Sequence, residues 1–326
     1  MKSHSQQLAL AAMFCLVFGA SSSLAAGENW FVRLELEQVQ PQGHDPRVVD
    51  VRGATNTNAI LLETQSGFGY GFGIRHDRGG NWAWGIDGSW FTGVQEGLDP
   101  GLSSDGSGTI EYQFAGGTLV SQEPDSVLYF RRLPDTDMNA WTIDLFALRK
   151  LKVRDNATVR LLFGLRNADF DNDNRFAIGL ENVGGQRIDA SSNYPRMIGP
   201  LIGVVVDRQW GSNAVELTAT ASVVSGDAEL FSKHTDFFGP FEDNQDRLIG
   251  VEDFSQTESA TIPIADLRLR WDHWLARHFA FGLGLSASHW SNVPIPPGVS
   301  PGDTPATLHE TSFTLARILA GISFRF

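Results

Sequence analysis

The stretch that decides the fold is the C-terminal run Ser312-Phe313-Thr314-Leu315-Ala316-Arg317-Ile318-Leu319-Ala320-Gly321-Ile322-Ser323-Phe324-Arg325-Phe326. In an extended chain Ala316, Ile318, Ala320, Ile322, Phe324 and Phe326 share one face, and Arg317, Gly321, Ser323 and Arg325 share the other. Side chains alternate across a strand, so one face suits an apolar medium and the other a polar one. Taken alone, the run fits the last strand of a soluble sandwich as well as a membrane strand.

Working outward, nine more segments carry the length a tilted membrane strand needs, about 9–11 residues. With the last, they lie near 29–39, 66–76, 81–92, 139–150, 157–167, 196–208, 214–224, 260–272, 278–290 and 312–326. The connections at 77–80, 151–156, 209–213 and 273–277 are short. Those at 40–65, 93–138, 168–195, 225–259 and 291–311 are long. Strict alternation of short turns with long loops is the order of an outer-membrane barrel, periplasmic turns below and extracellular loops above. The expected fold is an all-β antiparallel transmembrane barrel of about ten strands. Further pairing within 107–131, Thr109 to Phe114 against Val127 to Arg132, would raise the count to twelve.

Tryptophan placement points the same way. Trp30, Trp82, Trp84, Trp210, Trp271 and Trp274 fall near the expected periplasmic strand ends, and Trp90, Trp141 and Trp290 near the outer ends. An amphipathic ring is favoured at the membrane interface, so all nine are expected in aromatic girdles.

Assigning each apolar face to lipid leaves the other face to the lumen. Phe68, Tyr70, Phe72 and Ile74 then point out, and Gly67, Gly69, Gly71, Gly73 and Arg75 point in. The neighbouring Arg33, Glu35 and Glu37 point in as well and can fill the room above those glycines. The other expected basic lumen residues are Arg160, Arg166, Arg268, Arg270, Arg317 and Arg325. Their acidic counterparts are Asp87, Asp144, Asp207, Glu216 and Asp266. A charge facing lipid at mid-depth costs about 2–4 kcal/mol for Arg or Lys, whereas a lumen charge can be paired or hydrated. The near-balanced set implies a lumen crowded with Arg–carboxylate pairs. Ten strands leave little free bore.

Composition bounds the rest. With 42% hydrophobic and 19% charged residues the chain is not disordered, and its single cysteine excludes a disulfide scaffold. The net charge of −13 speaks against nucleic acid. Most of that acidity falls in the long loops, so an outer mouth that attracts cations is expected. Residues 1–25 read as a cleaved secretory signal: Lys2, an apolar run from Leu8 to Ala20, then Ser23-Leu24-Ala25 before the cut. Residues 26–326 then form one barrel domain.

Few motifs survive scrutiny. Gly298-Val299-Ser300-Pro301-Gly302 has the letters of a nucleophile elbow but lies in a Pro-rich loop. Asp169, Asp171 and Asp173 alternate as in a calcium loop and define a possible divalent-ion site, without the glycine and terminal acid such loops use. Glu242-Asp243-Asn244-Gln245-Asp246 offers acids on the same terms. No catalytic residue, resident metal or cofactor is expected.

Trp141-Thr142-Ile143-Asp144-Leu145, Val159-Arg160-Leu161-Leu162-Phe163-Gly164-Leu165-Arg166, Ile198-Gly199-Pro200-Leu201-Ile202-Gly203, Ala265-Asp266-Leu267 and the terminal strand carry a resemblance. Together they resemble the major-outer-membrane-protein-like, pore-forming barrels of Gram-negative bacteria. Phe146 departs from that pattern, in which an acid is expected after Asp-Leu. The closing Phe326 resembles the aromatic end that such barrels present to the barrel assembly machinery.

The resemblance implies a porin-like barrel in the bacterial outer membrane, passing ions or small solutes, cations favoured, through a narrow lumen. A second expectation is a non-conducting structural or adhesive barrel whose loops hold lipopolysaccharide through divalent ions. A third, a surface protease, has only His44, His234, His289 and His309 on the outer side to support it. Non-enzymatic function is the expectation.

Overall fold

The computed structural model describes residues 29–42, 47–52, 57–62, 67–77, 80–95, 109–114, 117–122, 128–154, 156–180, 184–238, 248–295 and 309–326. The expected leader (1–25), His44, the Glu242 to Asp246 run and the Gly298 to Gly302 string lie outside them.

Among the described residues there are fourteen strands. Ten close a barrel: β1 (Asn29–Gln42), β4 (Gly67–Asp77), β5 (Trp82–Gln95), β8 (Leu128–Arg154), β9 (Ala157–Leu180), β10 (Gly184–Trp210), β11 (Asn213–Phe238), β12 (Leu248–Ala276), β13 (Phe279–Ile295) and β14 (His309–Arg325). Every barrel pairing is antiparallel, and β1 closes the ring between β4 and β14. At the seam Trp30 and Phe326 exchange both backbone hydrogen bonds, 3.2 and 3.0 Å, so the terminal residue seals the cylinder. Closure removes the unpaired strand edges that hydrocarbon cannot hydrate.

The other four strands, β2 (Arg47–Arg52), β3 (Thr57–Leu62), β6 (Thr109–Phe114) and β7 (Gly117–Gln122), form a separate sheet in the order β3-β2-β6-β7. The barrel therefore stays at ten. Thr109 to Phe114 pairs with Gly117 to Gln122, not with the segment from 127, because that segment is the outer end of β8. β2 and β3 lie in the connection after β1, and β6 and β7 in the one after β5. By connectivity both hairpins belong to the long-loop end.

Strands β8 to β12 run 27, 24, 27, 26 and 29 residues, more than twice the membrane requirement of about 9–11 residues. Much of 168–195 and 225–259, expected as loop, is thus strand. Above the hydrocarbon an outward face need not be apolar, so the alternation that marks a membrane strand disappears while the pairing continues. The short turns match expectation. The β10–β11 turn is tight enough to hold Gly211 at φ +54°, a backbone region that a side chain would strain.

The outer surface carries the greasy rows. Phe68, Tyr70, Leu145, Phe163, Leu165, Ile202, Leu267, Leu285 and Ile318 are all exposed. Phe68 is 75% exposed, a poor arrangement in water and a good one in lipid. The inward rows are buried. That inversion, apolar outside and charged inside, defines a membrane barrel.

Candidate functional site

The lumen has two layers. The layer nearer the short turns is ionic. Arg166 on β9 donates to both carboxylate oxygens of Asp144 on β8 (2.7 and 2.6 Å), to Asp266 on β12 (2.5 Å) and to Ser222 on β11 (3.3 Å). Glu35 on β1 receives Arg268 and Arg270 from β12, three places round the ring. Arg33 reaches Asp87 (3.2 Å) and Glu216 (3.5 Å). Arg75 on β4 meets Glu216 on β11 at 3.0 Å, and those two strands stand on opposite walls. Arg160 pairs with Asp207 on the adjacent strand, and Arg317 with Glu37 (3.3 Å).

The structure thus brings fourteen of the fifteen expected lumen residues into ion pairs. The fifteenth, Arg325, lies over the ring of Trp274 at 4.5 Å. Sequence reading did not count Asp272, at the end of the expected strand 260–272, among the lumen residues. Its carboxylate accepts from Arg270 at 2.8 Å. The parity of Asp272 with Arg268 and Arg270 was the available signal.

The glycines of β4 make room for this layer. A Cβ at Gly71 would stand 2.6 Å from Glu37 Oε1 and 2.9 Å from Glu35 Oε2. Small residues on β4 and long acids on β1 are one packing unit. Along β5, β8, β9 and β10, Ala83, Phe146, Leu148, Leu162, Leu201 and Val205 make an apolar patch, with Phe146 where an acid was expected from the resemblance.

The second layer lies above the first, and sequence reading missed it. Phe91, Met138, Phe170, Tyr194, Met197, Trp290 and Phe313 are buried inside the barrel in one cluster. Phe170 stacks on Phe313 with centroids 5.0 Å apart, and β9 and β14 stand on opposite walls, five places apart in a ring of ten. Trp290 contacts both rings, Phe313 at 5.6 Å and Phe170 at 6.1 Å, and Tyr194 contacts Phe170 at 5.7 Å. Two bulges assist. The register slips between Tyr194 and Met197 and between Trp290 and Val293, with Arg196 and Asn292 at positive φ, so both members of each pair point inward.

Three expected placements change. Trp290, expected in the outer girdle, is 1% exposed within this layer, and its indole donates to Ser288 at 3.0 Å. Trp274 also faces inward. Both follow the lumen row of their strand; their depth suggested a girdle, but facing is set by parity. Trp82, Trp84, Trp90, Trp210 and Trp271 are exposed outside, Trp90 stacking on Trp141 at 5.9 Å, and Trp30 packs against Trp84. Asp169, Asp171 and Asp173 lie within β9, not in a loop. On one strand face they stand roughly 6–7 Å apart, too spread to converge on one ion, and no metal-ligating cluster occurs among the described residues. Of the histidines, His289 is exposed on the outer face, its Nδ1 2.9 Å from Thr314.

At the short-turn end the lumen opens into a cavity of about 500 Å³. Phe31, Arg75, Arg160, Glu216, Trp274 and Arg325 are among its walls.

A closed ten-stranded barrel with an apolar belt and an ion-paired interior is an outer-membrane β-barrel, and the bacterial outer membrane is its location. A known structure agrees on the fold. The outer-membrane protease OmpT from Escherichia coli is 11% identical, with a TM-score of 0.52 over 94% of this chain and 100% of that one. Two looser likenesses accompany it. A major outer membrane protein from Thermus thermophilus is 11% identical over 91% of this chain and 99% of its own, with a TM-score of 0.34. OprG from Pseudomonas aeruginosa is 10% identical over 92% and 96%, with a TM-score of 0.28. No protein-family model matches the sequence, and no curated protein does.

Proposed function

We propose that this protein is an outer-membrane barrel whose bore is shut at rest, and whose working surface is the tall wall that β8 to β12 raise beyond the membrane. The observation that carries this reading is the ring stack of Phe170 on Phe313 from opposite walls, reinforced by Trp290. A hydrophobic constriction excludes ions by dewetting, and the buried Arg–carboxylate layer beneath it adds a second barrier. The lumen charges serve as cross-links. Passage of ions or small solutes, the first expectation from the sequence, then requires those rings to separate.

The non-conducting structural or adhesive reading gains support from strand length. A paired wall so much longer than the membrane needs is a platform outside the cell. Lipopolysaccharide is the nearest surface for it to meet. The protease reading draws on no described catalytic pair, and His289 faces away from the lumen.

The test is osmotic swelling of liposomes carrying the purified protein. The unmodified protein should swell no faster than protein-free liposomes in a small sugar, and the Phe170→Ala/Phe313→Ala double variant should swell measurably. Rapid swelling with the unmodified protein would refute a shut bore.

A further inference from the structure

We infer that the cavity at the short-turn end is a binding site for a small aromatic carboxylate arriving from the periplasmic side. Its volume, about 500 Å³, lies within the range of small-molecule sites. Arg75, Arg160, Asp207 and Glu216 of the ionic layer are among its walls, which combine two features that such a ligand needs.

The first is unspent positive charge. Arg75, Arg160, Arg208 and Arg325 line the cavity against Asp207, Glu216 and Asp272. All three acids are already engaged: Asp207 by Arg160, Glu216 by Arg75 and Arg33, and Asp272 by Arg270. Two of those partners, Arg33 and Arg270, lie outside the lining and are shared with Asp87 and Glu35, so the surplus on the cavity wall is that of Arg208 and Arg325. Among the described residues no carboxylate forms an ion pair with Arg325. Its guanidinium carbon lies 4.5 Å from the centroid of the Trp274 ring, a cation–π contact that orders the side chain without using its N–H donors. A free cation of this kind, already fixed in place, binds carboxylate in the bidentate manner. A metal cation is disfavoured, since each acid it would need is held by arginine.

The second feature is aromatic. Trp274 and Phe31 both line the space, and Phe31 is itself covered by Arg75 at 5.0 Å. The indole N–H of Trp274 donates to no acceptor among the described residues. A planar ring bearing one carboxylate matches a wall of rings, surplus donors and one ordered cation. The inference stands whether or not the bore above conducts.

Calorimetric titration of the purified full-length protein in detergent tests it, with benzoate as probe and benzamide as its neutral counterpart. Benzoate should bind saturably, and benzamide about tenfold more weakly or worse, because it forfeits the charge-assisted pair. Arg325→Gln should weaken benzoate by about tenfold and leave benzamide unchanged. Inorganic phosphate at the same concentration should not displace benzoate. The benzoate-to-benzamide ratio on the unmodified protein needs no variant to fold. Absence of saturable benzoate binding, equal affinities for the two probes, an unchanged Arg325→Gln variant, or displacement by phosphate would each overturn the assignment.

Discussion

Phe170 and Phe313 stand on diametrically opposite strands and stack at 5.0 Å with 27° between their planes. Two side chains that meet across a barrel narrow its bore at that level. Residues on the same level should therefore be screened from water. With the sole cysteine removed by Cys15→Ser, a Val224→Cys probe, fully buried in the layer, should resist a water-soluble maleimide in liposomes. Adding Phe170→Ala and Phe313→Ala should expose it. Equal labelling in both backgrounds would show that the rings do not seal the bore.

The Arg166 cluster is a structural joint. Arg166→Met would leave the half-buried Asp144 and Asp266 facing one another, and removing one partner of a buried ion pair costs up to about 3–5 kcal/mol. Urea unfolding in lipid vesicles should report that loss. The triple variant Asp144→Asn/Arg166→Met/Asp266→Asn should recover much of it, because no uncompensated charge remains.

Gly71 is expected to tolerate no side chain. Gly71→Leu would press on Glu35 and Glu37, whose carboxylates sit 2.9 and 2.6 Å from where a Cβ would be. Overpacking costs about 1–3 kcal/mol, with displaced charges adding to it. The folded, heat-modifiable band on unheated gels should weaken, while Gly80→Leu, with open space around it, should leave that band intact.

Leu267 separates the two faces of β12. It is exposed outside, between Asp266 and Arg268, which are turned inward. Leu267→Arg should cost about 2–4 kcal/mol in a bilayer if that position lies near mid-depth, and much less in a detergent that lets the charge reach water.

The barrel and its ionic layer were legible in the sequence because each is written in parity. Arg33, Glu35 and Glu37 alternate with apolar residues, and lipid forbids the opposite assignment. The strand extensions were not legible, since nothing forces alternation above the membrane. Trp290 and Trp274 were misplaced because depth was weighed without facing. The aromatic layer was hidden for a further reason. Its members lie on several distant strands, and the bulges beside Tyr194 and Trp290 shift parity where the layer forms. No local pattern marks residues that converge only on closure.

The most direct test of the shut bore is the current through planar lipid bilayers containing the purified protein. The account expects the unmodified protein to show no channel steps over the ordinary voltage range, and the Phe170→Ala/Phe313→Ala variant to show them. Stable open-channel conductance from the unmodified protein would contradict it.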